Sequence, residues 1–153
     1  MREIKFRAWL KKENRMIDPV IGLDFMEPYS AVQWFDNVHD ALASNLSDCW
    51  LEDCELMQYT GLKDKKGKEV CEGDLLRKIY NPADEWEKVN YIAYEVFFHD
   101  NDCADKHIGF QMNRVHFQGN ICGTSDFINF LPKYVMSLEI IGNIYENPEL
   151  LKP

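Results

Sequence analysis

The sequence predicts a mainly β protein with one minor helix, and three kinds of pattern support this fold class. Several short segments alternate between apolar and polar residues, as half-buried strands do. Turn residues separate these segments at the short spacing that is typical of a small barrel or sandwich. The best helix candidate in the first half of the chain is a short segment with the three- and four-residue apolar spacing of an amphipathic helix. We therefore expect a small, strongly bent, SH3-like β-barrel that follows an N-terminal β meander.

The first 26 residues form the predicted meander. Residues 4–9 alternate, with Ile4, Phe6 and Ala8 on the inner face. A polar turn leads to a returning strand at 15–17, and a short strand follows at 20–26.

The predicted helix begins at Asp36, whose carboxylate can cap the first turn, and ends at Leu46. Its apolar side would carry Val38, Ala41 and Leu42 together with Leu46. We expect much of the segment from Ala31 to Asp53 to be an excursion on the surface.

Three short strands are predicted next, at 56–60, 69–71 and 75–80. The loop 62–68 joins the first two as a hairpin, with Gly67 in a left-handed conformation. A second tight turn at 72–74 leads into the third strand.

The strand predicted at 89–99 is apolar on both faces, which is typical of a central strand. Residues 108–112 and 115–118 are predicted to pair as a hairpin around Asn113 and Arg114. A short apolar segment at 127–131 ends at Pro132, residues 138–145 form the closing strand, and 147–151 form at most one helical turn.

Length and charge limit the functions that the chain can have. Its 153 residues suit one domain that builds a core without metals or disulfides. We treat 1–153 as that domain, with an N-terminal subregion of meander and helix at 1–53 and a β-barrel subregion at 54–153. The net charge of −9 opposes the wrapping of a phosphate backbone. Without a long apolar run or a signal peptide, a cytoplasmic protein is expected.

Five cysteines without a secretion signal predict reduced thiols. Cys49 and Cys54 are five residues apart and resemble half of a zinc site. No second pair at zinc spacing follows, so we interpret them as two partly buried apolar side chains.

The segment 99–107 is the richest in metal-ligating residue types, with two His, three Asp and one Cys. It matches neither a calcium loop nor a helical zinc motif, and a solvated turn has the same composition. The chain also lacks a complete catalytic motif, so we expect no enzyme activity, no cofactor and no structural metal. The weak metal candidates are His99, Asp102, Cys103 and His107.

Lysines crowd the hairpin loop at 62–68. They are either a local phosphate contact or solvated residues that protect strand edges from aggregation, and we favour the second interpretation. Association with nucleic acid is therefore the alternative function. The lysines are Lys63, Lys65, Lys66 and Lys68.

Aromatic residues in and before the strand at 89–99 predict an interaction surface. One small barrel has one interior, so only one face of this strand can fill it, and the other needs a cover. The cover is either the N-terminal meander or a second chain, and we favour a homo-oligomer. The candidate surface residues are Trp86, Tyr91, Tyr94 and Phe98.

Three blocks of the sequence resemble the YopX-like proteins. These are the opening MREIKFRAW at 1–9, the segment LMQYTGLKDKKGKEVCEGDL at 56–75, and IIGNIYENPEL at 140–150. Cys71 replaces the aromatic residue that is usual in the family, and residues 82–133 match weakly. YopX-like proteins are encoded by phages and prophages, mostly of low-GC Gram-positive bacteria.

The resemblance implies a mainly β fold and a phage origin. It implies no activity and transfers no catalytic residue, because no biochemical function is established for the family. We therefore expect a non-enzymatic phage or prophage accessory protein that binds another host or phage protein, or itself.

Overall fold

The structure is a computed structural model of the chain, and it describes residues 3–26, 29–78, 91–100, 108–118 and 127–151. The protein is mainly β, with a strongly curled half-barrel sheet and short helices, so the predicted fold class is confirmed. In the described part of the chain, no helix is both long and apolar enough to cross a membrane.

The chain forms two compact units, Met1–Tyr59 and Thr60–Pro153. The first contains two antiparallel sheets, in which β1 pairs with β2 and β6, and β4 pairs with β3 and β5. Its elements are β1 (Phe6–Leu10), β2 (Arg15–Val20), β3 (Gly22–Met26), β4 (Tyr29–Trp34), α1 (Val38–Ala43), β5 (Ser47–Trp50) and the first part of β6 (Cys54–Lys63).

The segment after β3 differs from the predicted surface excursion. Val32 is fully buried and Trp34 is 4% exposed, because these alternate residues of β4 join the core of the first unit. The predicted helix is shorter than expected. Its Leu42 is 80% exposed, so the proposed apolar side of the helix is wrong at this residue.

The second unit contains a five-stranded antiparallel sheet in the order β11-β10-β9-β8-β12. The last residues of β6 lead into this unit, where β7 lies beside β6. The remaining elements are β7 (Glu69–Cys71), β8 (Asp74–Lys78), β9 (Tyr91–Asp100), β10 (Ile108–Gln118), β11 (Phe127–Asn129), α2 (Pro132–Val135), β12 (Glu139–Asn143) and a 3₁₀ turn (Pro148–Leu151).

One side of this sheet forms the core of the second unit. Ile92, Tyr94 and Val96, which alternate along β9, are almost completely buried there. They pack with residues from β7, β8, β10 and α2 and with the residue before β12, namely Val70, Leu76, Met112, Val135 and Leu138.

The predicted hairpin around Asn113 and Arg114 is wrong. Residues 108–118 form one continuous strand that pairs with β9 from Ile108 opposite Asp100 to Gln118 opposite Tyr91. A β-bulge lies between Arg114 and His116. The ten-residue β9 offers a long row of backbone partners, and a hairpin at Asn113 would leave part of that row unpaired.

Candidate functional site: an aromatic row and a lysine hairpin

Three phenylalanines line up across the second unit. Phe98 on β9 lies directly opposite Phe110 on β10, and their ring centroids are 5.3 Å apart. Phe130 immediately follows β11, and its ring centroid lies 6.0 Å from that of Phe110. We call Phe98, Phe110 and Phe130 the aromatic row.

The aromatic row extends the core face of the sheet to the surface. Val96 and Met112, two residues from Phe98 and Phe110 on the same face, are fully buried. Phe110 is still buried and Phe130 packs partly against the core, whereas Phe98 is 42% exposed. Leu131, which follows Phe130, is 59% exposed.

The geometry of the row holds the exposed ring in place. The rings of Phe98 and Phe110 meet edge to face, with an interplanar angle of 84°. Such a pair contributes about 0.5–1.5 kcal/mol beyond the burial of its area. Phe98 therefore presents an apolar surface whose orientation is largely fixed before any partner binds.

The candidate surface residues of the sequence separate into different places. Tyr94 is 1% exposed, so its assignment to an interaction surface is wrong. Its ring meets Tyr134 at 6.2 Å between centroids, and the Tyr134 hydroxyl donates a hydrogen bond of 3.2 Å to the Tyr94 hydroxyl. Tyr91 begins β9, and Trp86 lies outside the described residues. Of the four candidates, Phe98 is the one described as exposed.

The opposite face of β9 is also covered in part. Ala93 is 1% exposed, and Leu75, which lies on β8 opposite Glu95 of this same face, is fully buried. The single chain thus buries residues of both faces at this point, so β9 needs no second chain as a cover there.

The lysine hairpin, residues 62–68, is organised by Asp64. This side chain is 5% exposed, and its Oδ1 accepts hydrogen bonds from the backbone N–H groups of Lys66 (2.8 Å) and Lys68 (2.9 Å). The turn also contains Gly67 at φ 83°, which confirms its predicted left-handed conformation.

Glu139, the first residue of β12, draws three basic side chains together. Its carboxylate pairs with Lys65 at 2.7 Å, with Lys66, and with Arg77 at 3.3 Å. Hydrogen bonds from Lys65 and Lys66 lower the pKa of Glu139 to about 2. Two of the four hairpin lysines are therefore paired with a carboxylate, which leaves less positive charge for the predicted phosphate contact.

The remaining lysines, Lys63 and Lys68, have exposed side chains at the surface of the hairpin. The phosphate contact stays a prediction, now centred on these two residues.

Of the four weak metal candidates, only His99 lies within the residues that the structure describes. His99 is half-buried on β9, with its ring 6.2 Å from that of Phe97 between centroids. Asp102, Cys103 and His107 lie outside the described residues. Within the described ranges, no group of three potential ligands is close enough to hold a metal ion.

Sequence reasoning missed Phe110, Phe130 and Leu131 as surface candidates. The alternation of residues 108–112 is visible in the sequence, but the row depends on which residue of β9 faces which residue of β10. That register joins segments that are distant along the chain, so local periodicity does not reveal it.

Comparison with known proteins shows the family of the chain. The crystal structure of protein EF1440 from Enterococcus faecalis has a similar fold, with a TM-score of 0.60 and 23% sequence identity over 99% of this chain and 100% of that one. Among curated proteins, none matches significantly. The family model described as YopX protein matches residues 5–152, nearly the whole chain. The protein therefore belongs to the YopX protein family.

Proposed function

We propose that this protein is a non-enzymatic protein-binding module, and that it serves as an accessory protein of a phage or prophage. The observation that carries the binding function is the aromatic row, which continues a buried core face out to the exposed ring of Phe98. The phage origin rests on the resemblance of the three sequence blocks to YopX-like proteins.

Physical features of the row suit a binding anchor. Protein interfaces concentrate their energy in a few apolar or aromatic side chains that become fully desolvated. Phe98 already has part of its ring packed against Phe110, so binding costs little additional side-chain entropy. Leu131, beside the third member of the row, supplies further exposed apolar area.

The partner is a second copy of this chain or another protein of the host or phage. Self-association would place the same surface of two chains face to face, as in a symmetric dimer. This proposal now rests on the exposed end of the aromatic row, because Tyr94 is part of the core.

Nucleic-acid association has less support as the alternative function. The net charge is −9, and Glu139 pairs with both Lys65 and Lys66. At physiological salt, charges more than about 8 Å apart are largely screened, so a contact would depend on the local patch at Lys63 and Lys68.

Light scattering and pull-down with two matched variants test the proposal. Phe98→Ser removes the exposed end of the aromatic row. Phe25→Ser removes a phenylalanine that is 64% exposed in the first unit, and serves as the control. We expect Phe98→Ser alone to weaken oligomerisation or the capture of a partner from host lysate, with the unfolding transition unchanged.

A persistent monomer that captures no protein would overturn the proposal, and so would equal binding by wild type and Phe98→Ser. Nuclease treatment of the lysate separates the alternative function. A captured partner that disappears after nuclease treatment, and after Lys63→Glu with Lys68→Glu, would support nucleic-acid association instead.

A further inference from the structure

Two cysteine thiols meet beside a cleft in the first unit, independently of the aromatic row. Cys49 lies in β5 and Cys54 begins β6, and the residues Leu51–Asp53 between them form one turn of 3₁₀ helix. This compact connection brings the two side chains together: Cys49 packs against the apolar cluster that contains Cys54, and each thiol affects the pKa of the other. The Cys54 thiol donates a hydrogen bond of 3.5 Å to the backbone carbonyl of Leu51.

The two thiols differ in their access to solvent. Cys54 is 4% exposed and belongs to the core of the first unit. Cys49 is half-buried, and it lines an open cleft of about 390 Å³. A reagent that enters this cleft therefore meets Cys49, whereas Cys54 does not line the cleft. The other residues that line the cleft are Lys12, Ala31, Asp48, Trp50 and Asp53.

The surroundings favour a thiol pair over a zinc site. Burial raises the pKa of both thiols, that of Cys54 to about 12, so both are largely protonated at neutral pH. Zinc needs thiolates and usually four ligands. In the described part of the chain, no third ligand joins the pair. Of the two thiols, Cys49 is the one that lines the cleft, so it is the nucleophile that an entering reagent can reach.

We propose that Cys49 and Cys54 form a reversible disulfide by exchange with a low-molecular-weight disulfide that enters the cleft. The Cys49 thiolate attacks one sulfur of that disulfide, forming a mixed disulfide and releasing one small thiolate. Cys54 then loses its proton to solvent and attacks the sulfur of Cys49, which releases the second small thiolate. Two protein thiols are thereby oxidised, and one small disulfide is reduced to two thiols. Excess thiol reverses both steps, so the site would respond to the thiol–disulfide balance of its surroundings.

Oxidised glutathione, applied to the folded protein in mildly alkaline buffer, provides the test. The probe is used on a chain that carries Cys103→Ser and Cys122→Ser, so that these two cysteines cannot react. After alkylation of free thiols, a protease that cleaves after Glu52 separates the two cysteines along the chain. We expect two peptides that stay joined by a disulfide until reduction, and the loss of two free thiols per chain. Cys71, buried in the second unit, should stay unmodified by glutathione and serves as the internal control.

Single variants test the order of the two steps. Cys54→Ser should trap glutathione on Cys49, whereas Cys49→Ser should leave Cys54 unmodified under the same conditions. The proposal is overturned if the two peptides separate without reductant, if glutathione persists on Cys49 of the chain that retains Cys54, or if Cys54 reacts in the Cys49→Ser variant. Circular dichroism before and after oxidation checks that the reacting protein is folded.

Discussion

The Oδ2 atom of Asp64 accepts a hydrogen bond of 3.1 Å from the backbone N–H of Ile140, which lies 76 residues later in the chain. The other oxygen of the same carboxylate accepts two N–H groups within the lysine hairpin. One buried side chain therefore shapes the hairpin and also attaches it to the closing strand β12.

Replacing Asp64 should destabilise the protein strongly. Asp64→Ala leaves three partly buried backbone N–H groups without the acceptor that this buried side chain provides. We expect a loss on the order of 3 kcal/mol in the free energy of unfolding, measured by urea denaturation. Lys68→Ala, an exposed change in the same turn, should stay within about 0.5 kcal/mol of wild type. Equal effects of the two variants would contradict this role of Asp64.

Glu139 should make the protein sensitive to acid in a defined range. Its pKa is lowered from 4.5 to about 2 by its basic neighbours, so the stabilisation that it provides is complete above pH 4.5 and is lost as the pH falls towards 2. The difference in unfolding free energy between wild type and Glu139→Gln should therefore be constant above that range and shrink below it.

The comparison with Glu139→Gln also isolates this carboxylate from others. Asp36 in the first unit has its pKa lowered to about 2 by Ser47, Arg15 and Trp34, and so titrates in the same range. Both proteins retain Asp36, and its contribution cancels in the difference. A difference that is independent of pH down to 2 would show that Glu139 is not stabilised in its charged form.

Substitution by lysine should strongly destabilise the protein at Tyr94 but leave it folded at Phe98. Tyr94→Lys places a charge in the core of the second unit, and we expect a loss of more than about 4 kcal/mol and no cooperative unfolding transition. Phe98→Lys changes an exposed ring and should retain the fold. The milder Tyr94→Phe removes the hydrogen bond with Tyr134 and should cost about 1 kcal/mol by thermal or urea unfolding. A well-folded Tyr94→Lys protein would show that the burial of Tyr94 is wrong.

The stability of the protein should be sensitive to the addition of a side chain at Gly142. A methyl group added at Gly142 would lie 2.9 Å from Cγ of Asn147, whose Oδ1 accepts a hydrogen bond of 3.3 Å from the N–H of Asn143. We expect Gly142→Ala to cost about 1–3 kcal/mol. In an Asn147→Ala background the same change should cost less, because most of the obstructing atoms are gone. Strict additivity of the two substitutions would argue against this contact.

Much of the strand content could be predicted from the sequence, because alternation and turn residues are local signals. The strand at β1 and the turn at Gly67 are examples, and both depend on a few neighbouring residues. The position of Tyr94 could not be predicted in this way, because both faces of β9 are apolar and periodicity does not say which one fills the core.

The aromatic row and the contact between the two cysteines could not be predicted from the sequence for a related reason. The row needs the register of β9 against β10 and the position of Phe130 after β11, none of which is a local property. The spacing of Cys49 and Cys54 was visible, but their contact depends on the 3₁₀ turn between them. Strand β4 was missed because its alternation is short and adjoins a polar, helical segment.

The β-bulge in β10 makes one point of that strand tolerant to a change in chain length. Arg114 lies opposite Tyr94 and His116 lies opposite Ala93, so Val115 is an extra residue in the ladder. Deleting Val115 would give a regular ladder and leave the pairing on both sides unchanged, whereas a deletion elsewhere in β10 would reverse the faces of all residues beyond it. Alignments of related chains can therefore accept a one-residue gap at Val115 without implying a different sheet.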